Sequence, residues 1–111
     1  MEHHPRIQSL LEFLIDDPHD ASTKYMLALE YIKAGNDQEA LKWMEEIGSS
    51  HPEYLPNYYH FGKLLERTGD LKKAHIVYEN GIRTANDQRN LHAMSELRSA
   101  LDSMEEDMIG M

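Results

Sequence analysis

Cysteine is absent from the 111 residues, which excludes disulfides, thiolate metal sites and a thiol nucleophile and suits a reducing compartment. No apolar run approaches the ~20 residues a membrane-spanning helix needs, and the opening MEHHPRIQ has neither a basic leader nor a cleavable apolar segment. A soluble, cytoplasmic protein is expected. Positive charge is scarce as well: 11 Lys and Arg face 20 Asp and Glu, for a net charge of -9. Nucleic acid and anionic membrane surfaces are held by positive charge, so neither is an expected partner. Most of the imbalance lies in residues 1–55, with 4 basic and 11 acidic side chains, whereas residues 56–111 hold 7 and 9. A basic or apolar partner is therefore electrostatically easier than an acidic one. A chain this short builds one domain around one core.

What the chain does have is self-similarity with a period of 34 residues, the sequence mark of a repeat architecture. That offset relates Pro18 to Pro52, Tyr25 to Tyr59, Leu27 to Phe61, Ala28 to Gly62, Tyr31 to Leu65, Gly35 to Gly69, Ala40 to Ala74, Met44 to Tyr78 and Glu45 to Glu79. Each unit reads as two helices and a tight turn. Leu27, Ala28 and Tyr31 recur at helical spacing until Gly35, which adopts a left-handed C-terminal cap without steric cost. Asn36 and Glu39 stand in capping-box relation at the start of the next helix, and Asp70 after Gly69 repeats the logic. Ala40, Met44 and Ile47 in one unit and Ala74, Tyr78 and Ile82 in the other supply the second helices' apolar faces, with the alanines and Gly62 admitting close backbone approach. Pro56 pre-sets the first turn of its helix.

These residues resemble the tetratricopeptide repeat family. Its 34-residue pattern of small residue, Gly-containing turn, second small residue and closing proline is matched by Ala28 or Gly62, Gly35 or Gly69, Ala40 or Ala74, and Pro52. Departures fall at Lys24, where the family has a large or aromatic residue, at Asn86 in place of the second closing proline, and at Ile47 and Gly81 in place of an alanine. The resemblance implies an all-α, short right-handed helical-repeat solenoid whose first helices line a concave side, like small stand-alone bacterial members. We expect one domain over 1–111, with an N-terminal flanking helix in 1–17, repeat 1 at 21–54, repeat 2 at 55–88, a capping helix at 88–107 and a tail at 108–111. Ile7, Leu10, Leu11 and Leu14 form the stripe of the first flank; Leu91, Met94, Leu97, Leu101, Met104 and Met108 form that of the second. Glu105, Glu106 and Asp107 predict fraying at a helix end that disfavours negative charge.

Tyr25, Leu29 and Ile32 form a second apolar stripe beside the one the hairpin needs, so something must cover it: either a neighbouring helix or a ligand. Family geometry would continue Tyr25, Leu29, Ile32 and Lys33 into Tyr59, His60, Lys63, Glu66 and Arg67, a groove for a peptide or helix of a protein partner. One branch of the family grips C-terminal carboxylates with Lys, Asn and Arg; Tyr25 and Leu29 hold the corresponding slots of the first unit, so that clamp is absent. Lys63 and Arg67 could pair with an anion, or with Glu66 and Asp70. Trp43 is expected to pack on the N-terminal helix, the alternative being a self-association patch.

The seven histidines do not suggest a metal: His3 and His4 are adjacent, while His19, His51, His60, His75 and His92 lack the i, i+4 pairing that puts two imidazoles on one helix face. Asp16 with Asp17 and Glu45 with Glu46 point apart on a helix, which does not suit paired acid and base work. No phosphate loop or nucleophile elbow is present. A non-catalytic, cofactor-free interaction module is expected; the other reading is a homodimer whose apolar stripes a second copy buries.

Overall fold

A computed structural model describes residues 4–110, and their fold is all-α. Six helices follow in order: α1 Pro5–Asp16, α2 Ala21–Lys33, α3 Asp37–Ser50, α4 Pro56–Thr68, α5 Leu71–Asp87 and α6 Leu91–Ile109. They fall into two compact units, Met1–His51 and Pro52–Met111.

In the first unit α2 packs against both α1 and α3. Ile7 and Leu14 of α1 meet Leu27 of α2, and Leu10, Leu11, Tyr31, Ala34 and Trp43 close around them. Ala28, Ala40, Met44 and Ile47 are fully buried. Lys24 takes the slot of a large residue and is itself only 4% exposed. Its aliphatic stem fills the space, while its amine sits 3.0 Å from Glu46 Oε1 and 3.4 Å from His51 Nε2.

In the second unit α5 packs on α4, and α6 packs on α5 and on α4. Two glycines set the spacing. A methyl at Gly62 would stand 2.2 Å from the buried Tyr78 ring, and one at Gly81 would stand 2.7 Å from Tyr58 Cβ and 3.0 Å from Leu97. Leu97, Ala100, Leu101 and Met104 bury one side of α6. His75 ties α5 to α6, its Nδ1 lying 2.8 Å from Glu79 and its Nε2 3.1 Å from Glu105.

One turn design recurs three times. After α2, the Gly35 amide donates to Ile32 O and the Asn36 amide to Tyr31 O; after α4, Gly69 donates to Glu66 O and Asp70 to Leu65 O; after α5, Arg89 donates to Asn86 O and Asn90 to Ala85 O. This paired pattern satisfies carbonyls the helix end leaves open. The residue that completes each turn also caps the next helix, since Asn36, Asp70 and Asn90 accept from the amides of Glu39, Lys73 and Ala93. Only half of the expected capping box forms at Asn36: its amide is spent on Tyr31 O, and Glu39 turns to Lys42 at 3.5 Å. The central turn positions have positive φ, 79° at Gly35 and 93° at Gly69, but also 57° at Arg89.

The boundaries shift at the C-terminal end. With Asn86 where a proline would stop it, α5 runs on to Asp87, so α6 starts at Leu91, later than the expected 88. It continues to Ile109, past the expected 107 and into the segment read as a tail, because Met104 is buried and Glu105 is held by His75 across the acidic stretch. Met111 lies outside the described residues.

Candidate functional site

The side chains singled out in sequence divide between the two units. On α2, Tyr25, Leu29 and Ile32 are all half-buried, so the second stripe is partly covered, and exposed Lys33 lies 3.4 Å from Glu30. Glu30 also receives Arg6 of α1 at 2.8 Å, a link between two helices of the first unit. Trp43 is half-buried on the Ile7, Leu14 and Leu27 cluster.

On α4, Tyr59 and Lys63 do come together. They are one helical turn apart, and the Lys63 amine lies 5.7 Å from the centre of the Tyr59 ring, within cation–π range. His60 is half-buried and meets the Tyr59 ring edge-on at 5.5 Å. Burial pushes the His60 imidazole below its ordinary value, and the Glu96 carboxylate of α6 works against that shift. Glu66 instead points into the hairpin, accepting from the Tyr78 hydroxyl and standing 3.8 Å from Lys63. Burial first, then that bond to Glu66, raises the Tyr78 phenol far above its usual range. Arg67 is exposed at the end of α4.

Facing Tyr59 and Lys63 is a row that sequence reasoning passed over. His92, Ser95, Glu96, Ser99 and Ser103 of α6, with Ala100, line a cleft of about 340 Å³ shared with those two residues. The signal was present: Ser95, Ser99 and Ser103 recur every four residues, on the side of α6 away from Leu101 and Met94. The cleft presents hydroxyl and ammonium donors, one carboxylate and an aromatic surface. Among the described residues, none of the three serine hydroxyls is hydrogen-bonded to a histidine.

Two other clefts belong to single units. One of about 500 Å³ runs between α5 and α6, with Ile82, Met94 and Leu101 at its apolar part and Glu79, Arg83 and Arg98 around them. Another of about 410 Å³ lies in the first unit beside Lys24, Trp43 and Glu46. No group of three or more His, Asp or Glu residues suited to a metal ion occurs among the described residues, and His3 lies outside them. No described helix is long and apolar enough to cross a membrane.

Paired helices closed by a repeated turn, stacked with small residues at the crossings, define a helical-repeat protein. A crystal structure of a tetratricopeptide repeat domain protein from Salinibacter ruber superimposes with a TM-score of 0.75 at 37% identity, over 78% of this chain and 97% of that one. A solution structure of a tetratricopeptide repeat domain protein from the same organism gives 0.77 at 37% identity, over 80% and 90%. A Bordetella parapertussis protein solved in solution shares the fold at 20% identity, with a TM-score of 0.77 over 96% and 91%. Neither a protein-family model nor a curated protein matches the sequence. The chain belongs to the tetratricopeptide repeat family.

Proposed function

We propose that this protein is a non-catalytic interaction module that binds an extended peptide segment of a partner protein in the cleft between α4 and α6. The observation that carries the reading is the chemistry of that cleft: Tyr59 and Lys63 form a cation–π pair on one wall, and three serine hydroxyls with Glu96 form the other. A rigid aromatic gives contact area at little entropic cost, and a row of donors and acceptors suits the polar backbone of an extended chain. His60 lies against Tyr59 and supports it. Arg67 follows Lys63 by one turn on α4 and adds a cation to that face, and Glu66 stands 3.8 Å from Lys63. Tyr25, Leu29, Ile32 and Lys33 on α2 form a separate candidate contact set within the first unit. Cytoplasmic scaffolding is the setting this reading favours, and no cofactor is required.

The test is selection of peptides from a displayed random library on the wild-type protein, followed by calorimetric titration of the winners. Tyr59→Ala and Lys63→Ala should each weaken binding at least ~10-fold with helicity unchanged. Winners that bind both variants as tightly as wild type would contradict the reading.

A further inference from the structure

Beside its buried side, α6 carries exposed apolar surface. Leu91 is 72% exposed, Met108 46% and Ile109 86%, and Ile76 on α5 is 53% exposed. Leu91, Met94, Arg98, Leu101, Glu105 and Met108 follow one another at alternating steps of three and four residues, the spacing of a seam that packs against another helix. The seam borders the 500 Å³ cleft that α5 and α6 enclose.

We infer that this seam receives α6 of a second copy of the chain, antiparallel, so that α5, α6 and their partners form a four-helix bundle about a two-fold axis. Charge selects both the occupant and its direction. Arg98 sits at the middle of the seam with Asp102 one turn further on, yet neither makes an ion pair among the described residues. In an antiparallel register that places Arg98 beside the partner's Leu101, each Arg98 comes next to the partner's Asp102, twice over by symmetry. The same register sets Leu91 against the partner's Met108. A parallel pair would instead bring the two Arg98 side chains together. An acidic chain with a net charge of -9 needs such matching to associate with itself. With 19 residues, α6 is about 28 Å long. Together with the α5 edge, a contact of that length buries roughly the 1,000 Å² at which specific interfaces begin.

Sedimentation equilibrium of the full chain from about 1 μM to about 1 mM should show the mass rising to twice that of the chain. Leu91→Glu should weaken the association at least ~100-fold, and Arg98→Asp or Asp102→Arg at least ~10-fold each. The double variant Arg98→Asp, Asp102→Arg should recover wild-type association within a few-fold, because the pair is restored with its signs exchanged. The absence of native cysteine gives a direct check of direction: oxidation should cross-link chains carrying Leu91→Cys with Met108→Cys, and neither single variant. A monomer throughout, a dimer indifferent to Leu91→Glu, failure of the charge exchange to restore association, or cross-linking by a single-cysteine variant would each overturn the inference.

Discussion

Substituting Gly62 by Ala sets two large effects against each other, and the structure decides the sign. In an exposed helix interior the change stabilises by about 1 kcal/mol, because Ala restricts the unfolded chain and Gly does not. Here the new methyl would stand 2.2 Å from Tyr78 Cε1, 2.6 Å from Cζ and 2.7 Å from Cδ1, well inside the ~3.5–4 Å of ordinary carbon contact. The ring has nowhere to go: it is fully buried, and its hydroxyl is tied to Glu66. Overpacking at such a site costs about 3 kcal/mol, which leaves a net loss of about 2 kcal/mol and a fall in Tm on the order of 10 °C. Urea unfolding followed by far-UV circular dichroism measures it. The companion variant Tyr78→Leu removes the clashing ring, so the double variant should be at least ~1 kcal/mol more stable than the sum of the two singles implies. A gain in stability for Gly62→Ala alone would refute the close α4–α5 crossing on which the second unit is built.

Three further outcomes follow from particular contacts. Lys24→Met should lie within about 1 kcal/mol of wild type, because the stem's packing is kept and the lost partner Glu46 is half in water, whereas Lys24→Ala should lose about 2–3 kcal/mol to the cavity; denaturant midpoints of the two variants separate stem from charge. Arg89→Gly should stabilise by about 0.5–1 kcal/mol, since a non-glycine residue there holds φ at 57° against the usual left-handed penalty, while Asn90→Ala beside it should cost about 1 kcal/mol by removing the α6 cap. On acidification, His60 has a folded pKa lowered from 6.5 and so binds its proton more weakly folded than unfolded. Its contribution is intact above about pH 6.5 and is lost as pH falls below it. Glu46, lowered from 4.5 by the Ser50 and Lys24 hydrogen bonds, keeps its contribution above 4.5 and loses it as pH falls further. The slope of stability with pH between 5 and 6.5 should therefore flatten in His60→Asn.

Local signals in the chain specified the hairpins because each is a local chemical event. Gly35 and Gly69 at turn centres, Asn36 and Asp70 as caps, and Gly62 at a close helix crossing could be read from spacing, since helix ends and close crossings admit few residue types; that Tyr78 is what Gly62 meets comes from the packing. The third turn was less legible. Arg89 carries a side chain where the other two turns have glycine, so nothing in residue type marked it, and α6 was placed three residues early. Lys24 looked like a departure from the pattern, and only the packing shows that its stem occupies the slot and its amine reaches Glu46 and His51. For the candidate site, Tyr59 and Lys63 were legible from their position on the first helix of a pair. The serine wall was not, because it exists only through the docking of α6 on α4 and α5, which depends on Gly81, Leu97 and the His75 link. Family geometry puts Glu66 in the groove, while the hydroxyl of Tyr78, twelve residues away, donates to its carboxylate from inside the hairpin.

The most direct test of the peptide-binding account is an NMR titration of the isotopically labelled protein with a selected peptide. The account expects the amides that shift to lie on α4 around Tyr59 and Lys63 and on α6 around Ser95, Ser99 and Ser103, while α5 stays unperturbed. Shifts confined to α5 and α1, with the two walls of the cleft unchanged at saturation, would contradict it.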